Sequence, residues 1–202
     1  MTNYEIWSLI INAAMAIGVI GIALLAVFGD GFRKIIFPAR LEVEILDKNG
    51  ELTILDSGHR VIYYHLRFIN RKSVVVRNCR VYLKKIQKRQ ADGKFQDMPM
   101  SVPPRYVWTP SETSPEGVDI VTEQVVDFGY IIDNSREFKP TVTPIYNSFK
   151  GNLGQNESFI YYIEIVADNY RSRQLIGIEV SWDGKWPENL KDMHRSLVIK
   201  RV

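Results

Sequence analysis

Cysteine and histidine are nearly missing from this chain. Its 202 residues hold one cysteine, Cys79, and three histidines, His59, His65 and His194. A lone cysteine closes no intramolecular disulfide, which fits a reducing compartment. The spacings C-x-x-C, H-x-x-x-H and H-E-x-x-H are missing too, and a zinc site needs three or four ligands at such spacing. The same holds for the nucleophile elbow G-x-S-x-G, the Walker loop and the G-x-G-x-x-G fingerprint. No catalytic residue, metal or cofactor is therefore expected. His65 lies mid-strand among aromatics and reads as a structural histidine. Cys79 alternates with Val81 and Leu83 and reads as an inert core cysteine.

Charge is missing from one stretch. Residues 6–28 contain no Asp, Glu, Lys or Arg, and only Ser8 and Asn12 are clearly polar. Twenty-three helical residues rise roughly 35 Å against a hydrocarbon core of about 30 Å. A signal peptide would show a basic leader, a shorter apolar run and a small-x-small cleavage site; the leader here is MTNYE. A core helix would keep a polar face. The expected layout is a tail over 1–5, a transmembrane helix over 6–28, a basic juxtamembrane collar over 29–40 and a soluble domain over 41–202.

Basic residues are absent before Arg33. All 26 Lys and Arg lie from Arg33 onward, with 21 of the 23 acidic residues (Glu5 and Asp30 are the others), for a net of +5. Arg33, Lys34 and Arg40 flank the apolar run on one side only. The positive-inside rule then places the N-terminus outside and the domain in the cytoplasm of a single-pass inner-membrane protein. Arg33 and Lys34 are candidates to meet lipid phosphates, while Gly29-Asp30-Gly31 reads as a breaker. The mild basicity suits a lipid neighbour and falls short of a nucleic-acid binder.

After residue 37 no long helical pattern appears, and the apolar period changes to two. Leu41–Ile45, Leu52–Leu55, Arg60–Ile69, Val74–Ile86, Ser158–Ala167, Gln174–Trp182 and Ser196–Val202 read as strands, with two more within Val118–Ile132. Ile62, Tyr64, Leu66 and Phe68 should face a core, as should Phe159, Tyr161, Ile163 and Ile165. In the fourth strand, Val75, Arg77, Cys79, Val81 and Leu83 should share a face. Residues 99–117, with five of the nine prolines, and 138–156 read as irregular. The class is mainly β: an antiparallel β-sandwich whose pairing around 158–182 is immunoglobulin-like in pattern, without the Cys…Trp…Cys spacing of true immunoglobulin domains.

Three constellations are candidates for function. Lys84, Lys85, Lys88 and Arg89 form the one dense basic run; it is a solvated tip or a site for anionic lipid or ligand, and interleaved aromatics for base stacking are missing. If Asp183-Gly184 is a two-residue hairpin loop, Trp182 and Trp186 point to opposite faces and one becomes a partner anchor. Alternatively, the excursion carrying Tyr106 and Trp108 covers it; Trp108 joins Trp182 and Trp186 as a partner-binding candidate. Within the apolar run, Asn12, Ala14, Gly18 and Gly21 offer close helix–helix approach and hence a homo-oligomer. The expectation is a membrane-anchored, non-enzymatic interaction or sensing module with a protein partner. The alternative is a ligand-gated effector that oligomerises through its helix.

Overall fold

The structure is a computed structural model. It describes residues 2–36, 39–110, 116–133, 135 and 137–202, with side chains absent from the description at residue 25 and at 27–36. The chain divides into two compact units, Met1–Pro38 and Ala39–Val202.

The first unit is a single helix, α1 (Asn3–Ile36). It starts before residue 6 and runs through Gly29-Asp30-Gly31 and on to Ile36, so the expected break at 29–31 is corrected. Each glycine costs a helix interior about 1 kcal/mol, less than interrupting a hydrogen-bond ladder that continues on both sides. The segment Asn3–Leu24 is long and apolar enough to cross a membrane, with a mean hydropathy of 2.1. The side chains of Arg33 and Lys34, and all of Phe37 and Pro38, lie outside the described residues.

The second unit is mainly β, as expected. Fifteen strands are described, more than the eight or nine expected, because several are two- to four-residue pieces. They are β1 (Leu41–Ile45), β2 (Glu51–Ile54), β3 (Arg60–Asn70), β4 (Val76–Arg89), β5 (Phe95–Asp97), β6 (Arg105–Trp108), β7 (Val118–Ile120), β8 (Glu123–Ile132), β9 (Glu137–Pro140), β10 (Val142–Thr143), β11 (Leu153–Gly154), β12 (Glu157–Ala167), β13 (Tyr170–Arg171), β14 (Ile176–Trp182) and β15 (Leu197–Arg201). All pairings are antiparallel, in the order β1-β3-β8-β6-β4-β12-β14-β15. The two outer strands also meet: the Arg201 guanidinium donates to the Val43 carbonyl at 3.3 Å. The sheet is thus nearly barrel-shaped, with its edges drawn together.

The alternation selects the core. Ile62, Tyr64, Leu66 and Phe68 are buried, as are Phe159, Tyr161, Ile163 and Ile165. Phe128 sits among aromatic rings, with Tyr106, Phe138 and Tyr161 centred 5.7–5.8 Å away. Three departures from strict alternation follow from local geometry. The β3–β8 register slips between Tyr64 and His65, leaving Phe128 as the extra residue. On β4, Asn78 has φ 51 and the β4–β7 register shifts; Val76 is buried in place of Val75, and Arg77 is exposed. Asn-Gly at 49–50 is not a hairpin between β1 and β2, since both pair with β3, one beyond the other. Gly50 is required there: its φ is +72, and a Cβ would meet the Ile62 side chain at 2.4 Å.

Two further expectations are corrected. The segment 99–117 contains β6, whose Tyr106 and Trp108 are buried and which pairs with β4, β8 and β10. Asp183-Gly184 is not a two-residue hairpin loop, because Trp182 pairs with Leu197 across a connection that spans 183–196. That connection holds a 3-10 turn (Leu190–Asp192) and the short helix α2 (Met193–Ser196).

Candidate functional site

The outer face of β4, β12, β14 and β15 carries the basic run. Between Leu83 and Lys85 the β4–β12 register slips, which makes Lys84 the extra residue. Core contacts resume at Ile86, so Lys84 and Lys85 both lie off the core face. Each cation of the run meets a carboxylate. Lys84 lies 3.4 Å from Glu164, Lys85 lies 2.9 Å from Asp97, and Arg89 lies 2.9 Å from Glu179. Lys88 contacts Glu157 at the strand ends. Three rings add to this: Lys85 stands over Tyr162, Lys88 over Phe159 and Arg89 over Phe95.

The carboxylates register the pairing. The Arg171 hydrogen bond, followed by Lys84, holds Glu164 below the usual carboxylate range despite its burial. Glu157 is also lowered: burial pushes it up, and the Lys88 and Gly154 N–H bonds outweigh that. Hydrogen bonds from Gln87 and Lys85 lower Asp97. The run is therefore matched by the molecule's own acids and is not an open anion site.

Beside it lies a groove of about 520 Å³, bounded by Arg89, Ser158, Ser181, Trp182, Arg195 and Val198 among others. Strand alternation puts Glu179 and Ser181 on the side away from the core, and Ser158 stands directly opposite Ser181. Ser181 Oγ donates to Ser158 Oγ at 2.7 Å, and Ser158 Oγ donates to Glu179 Oε1 at 3.2 Å. Glu179, 4% exposed, also receives Arg89, and Lys200 reaches its Oε2 at 3.1 Å. One buried carboxylate thus orients two hydroxyls and two cations. The groove offers hydroxyl oxygens, guanidinium edges and the exposed Val198, a mixture suited to a polar, extended segment.

The tryptophans divide differently from expectation. Trp108 and Trp182 are buried at 2% and 3% exposure, which corrects their reading as partner anchors: both rings are taken up by the core. Trp108 packs edge-on against Phe68 and donates to the Cys79 carbonyl at 3.2 Å. Trp186 is half-buried against the core, with the Arg60 guanidinium 5.3 Å from its ring centre. It sits in the 183–196 connection, which also supplies Arg195 to the groove.

His65 and Cys79 are placed as structural residues. His65 Nδ1 lies 3.0 Å from Asp127 and Nε2 lies 3.5 Å from Glu51, so neither ring nitrogen is directed at a nucleophile. Asp127 also accepts from the Thr109 hydroxyl. Burial alone pushes the Cys79 thiol up to about 12, which keeps it protonated and unreactive. Among the described residues no group of three His, Cys, Asp or Glu could hold a metal ion.

On α1, Asn12, Ala14 and Gly18 are exposed, Gly21 is nearly so, and nothing lies within 4 Å of a Cβ built at either glycine. Sequence reasoning missed Glu179, Ser158, Ser181 and Arg195. One signal was available: Glu179 interrupts the apolar run Ile176–Trp182, and a charge surviving in such a strand is held by partners. No protein-family model matches the chain, and no curated protein does.

Proposed function

We propose that this is a single-pass inner-membrane protein whose helix anchors a non-enzymatic β domain on the cytoplasmic face, where the domain acts as an interaction or sensing module. The observation that carries the proposal is the apolar segment Asn3–Leu24, none of which is buried. Ile17, Val19 and Ile22 are 67–71% exposed. Apolar surface of that extent needs an apolar medium, and a bilayer supplies it. The basic flank after residue 32 supports the cytoplasmic side. The immunoglobulin-like sandwich is kept as a proposal, supported by the β12–β14 antiparallel pairing at 157–182.

The interaction surface is the 183–196 connection with the adjoining groove, where Trp186 and Arg195 are offered. The oligomerising, ligand-gated alternative loses weight because Lys84, Lys85, Lys88 and Arg89 are already matched by carboxylates. Affinity capture with the detergent-solubilised full-length protein tests the surface, with Trp186→Ala and Arg195→Glu in parallel. A partner held by the wild type and lost from both variants is the expected result. A partner held equally by all three refutes this surface, and helix-dependent self-association with no other partner favours the alternative.

A further inference from the structure

The β unit begins at Ala39, so the end of the barrel that carries Arg40 is the end to which the anchor is joined covalently. Three turns are stitched together there. Arg71 N donates to the Arg40 carbonyl at 3.0 Å, and Asn70 N donates to the Thr122 carbonyl at 2.7 Å. The Asn70 side-chain amide reaches the carbonyls of Val74, Ile120 and Val121 at 2.8, 3.1 and 3.1 Å. Asp168 N donates to the Arg77 carbonyl at 3.0 Å, and Asn169 Nδ2 donates to the Val75 carbonyl at 2.7 Å. Beyond that turn, Arg173 follows β13 by two residues and acts electrostatically on Tyr170, which accepts a backbone hydrogen bond from Leu41.

The cations of this rim differ from those of the β4 run. Arg40, Lys72, Arg77 and Arg173 are exposed. Among the described residues none of them forms an ion pair; Arg71 alone is held, 2.7 Å from Glu42. The rim's carboxylates are engaged by the scaffold. Asp119 accepts Asn78 N at 2.8 Å, Asp168 accepts Asn78 Nδ2 at 3.0 Å, and Glu123 lies 3.9 Å from Arg67. In the same set of turns Val121, whose carbonyl accepts the Asn70 amide, is 62% exposed. Free cations around an exposed aliphatic group match the chemistry of an anionic headgroup layer.

We infer that this rim docks on the anionic bilayer that holds the anchor, with Arg40, Lys72, Arg77 and Arg173 meeting lipid phosphates and Val121 entering the headgroup boundary. The inference rests on the anchor reading. It assigns the lipid contact to residues other than Lys84, Lys85, Lys88 and Arg89. Each basic side chain at such a surface contributes roughly a fivefold factor, and the attraction fades over a Debye length of about 10 Å at 0.1 M salt.

The test uses the full-length protein in nanodiscs of phosphatidylcholine alone or mixed with phosphatidylglycerol. Val121→Cys carries an environment-sensitive fluorophore; the native Cys79 is fully buried and stays unlabelled. The expected result is blue-shifted emission in the anionic discs only, reversed by high salt and lost when Arg40, Lys72, Arg77 and Arg173 are all changed to Gln. Salt titration of the otherwise wild-type chain keeps the test valid if the fourfold variant does not fold. Equal emission in both discs, with the protein incorporated, overturns the rim and spares the anchor. An unchanged shift in a folded fourfold variant also overturns it. Failure to incorporate into either disc overturns the anchor reading itself.

Discussion

The two units spend their apolar residues in opposite ways. In the β unit the large apolar side chains turn inward, and Phe68, Phe128, Phe138 and Tyr161 have no exposed surface. In α1 they turn outward all round, with Trp7 at 65% and Ile17 at 71% exposure. One set makes its own apolar interior, and the other leaves its apolar surface uncovered, which in the proposed reading a bilayer covers. Core changes should therefore cost folding, and helix changes should cost location.

The largest effect is expected from truncation in the barrel. Phe128→Ala should destabilise the β unit by about 3–5 kcal/mol, read by denaturant unfolding in detergent. Ile17→Ala should leave that unfolding curve in place; an equal loss from both would erase the distinction. Next comes a charge in the helix. Ile17→Lys should cost about 2.5–3.5 kcal/mol of insertion, seen as loss from the membrane fraction with the β unit still folded.

Smaller effects sharpen the contrast between the buried and exposed charges of the β unit. Glu179→Ala removes the acceptor shared by Ser158, Arg89 and Lys200. It should cost about 1–3 kcal/mol, moderated because both cations are half-exposed and can return to water. Asp97→Ala removes an exposed partner of Lys85 and should leave stability unchanged. The lowered carboxyls of Glu157 and Glu164 set the pH behaviour. Their contribution is complete above the unfolded value of about 4.5 and fades as pH falls through the lower folded values. Melting temperature should hold from pH 7 to 5 and then fall. In Glu164→Gln the acid loss should shrink, and an unchanged pH profile would show that Glu164 carries none of it.

The helix and the core strands were legible because they rest on period: an uncharged 23-residue run, and alternation over ten or so residues in β3 and β12. What was illegible depends on contacts across the fold. The charge run 84–89 looks open in sequence, and its partners Asp97, Glu157, Glu164 and Glu179 lie 12 to 90 positions away. The interrupted strand β1–β2 was hidden because Asn-Gly is equally at home in a hairpin and in a local loop. Trp182 was ambiguous because its pairing partner, Leu197, depends on a connection longer than the two residues of its turn signal. The rim cations stand apart in the chain, just before β1, in the β3–β4 turn, at the start of β4 and just after β13, and only strand pairing brings them together.

The anchor is tested most directly by membrane fractionation of the full-length protein with an alkaline wash, followed by protease digestion of right-side-out and inverted vesicles. Retention in the washed pellet, with the β unit cut only in inverted vesicles, is the expected result. Release by the wash, or digestion in right-side-out vesicles, would contradict a cytoplasmic domain held by α1.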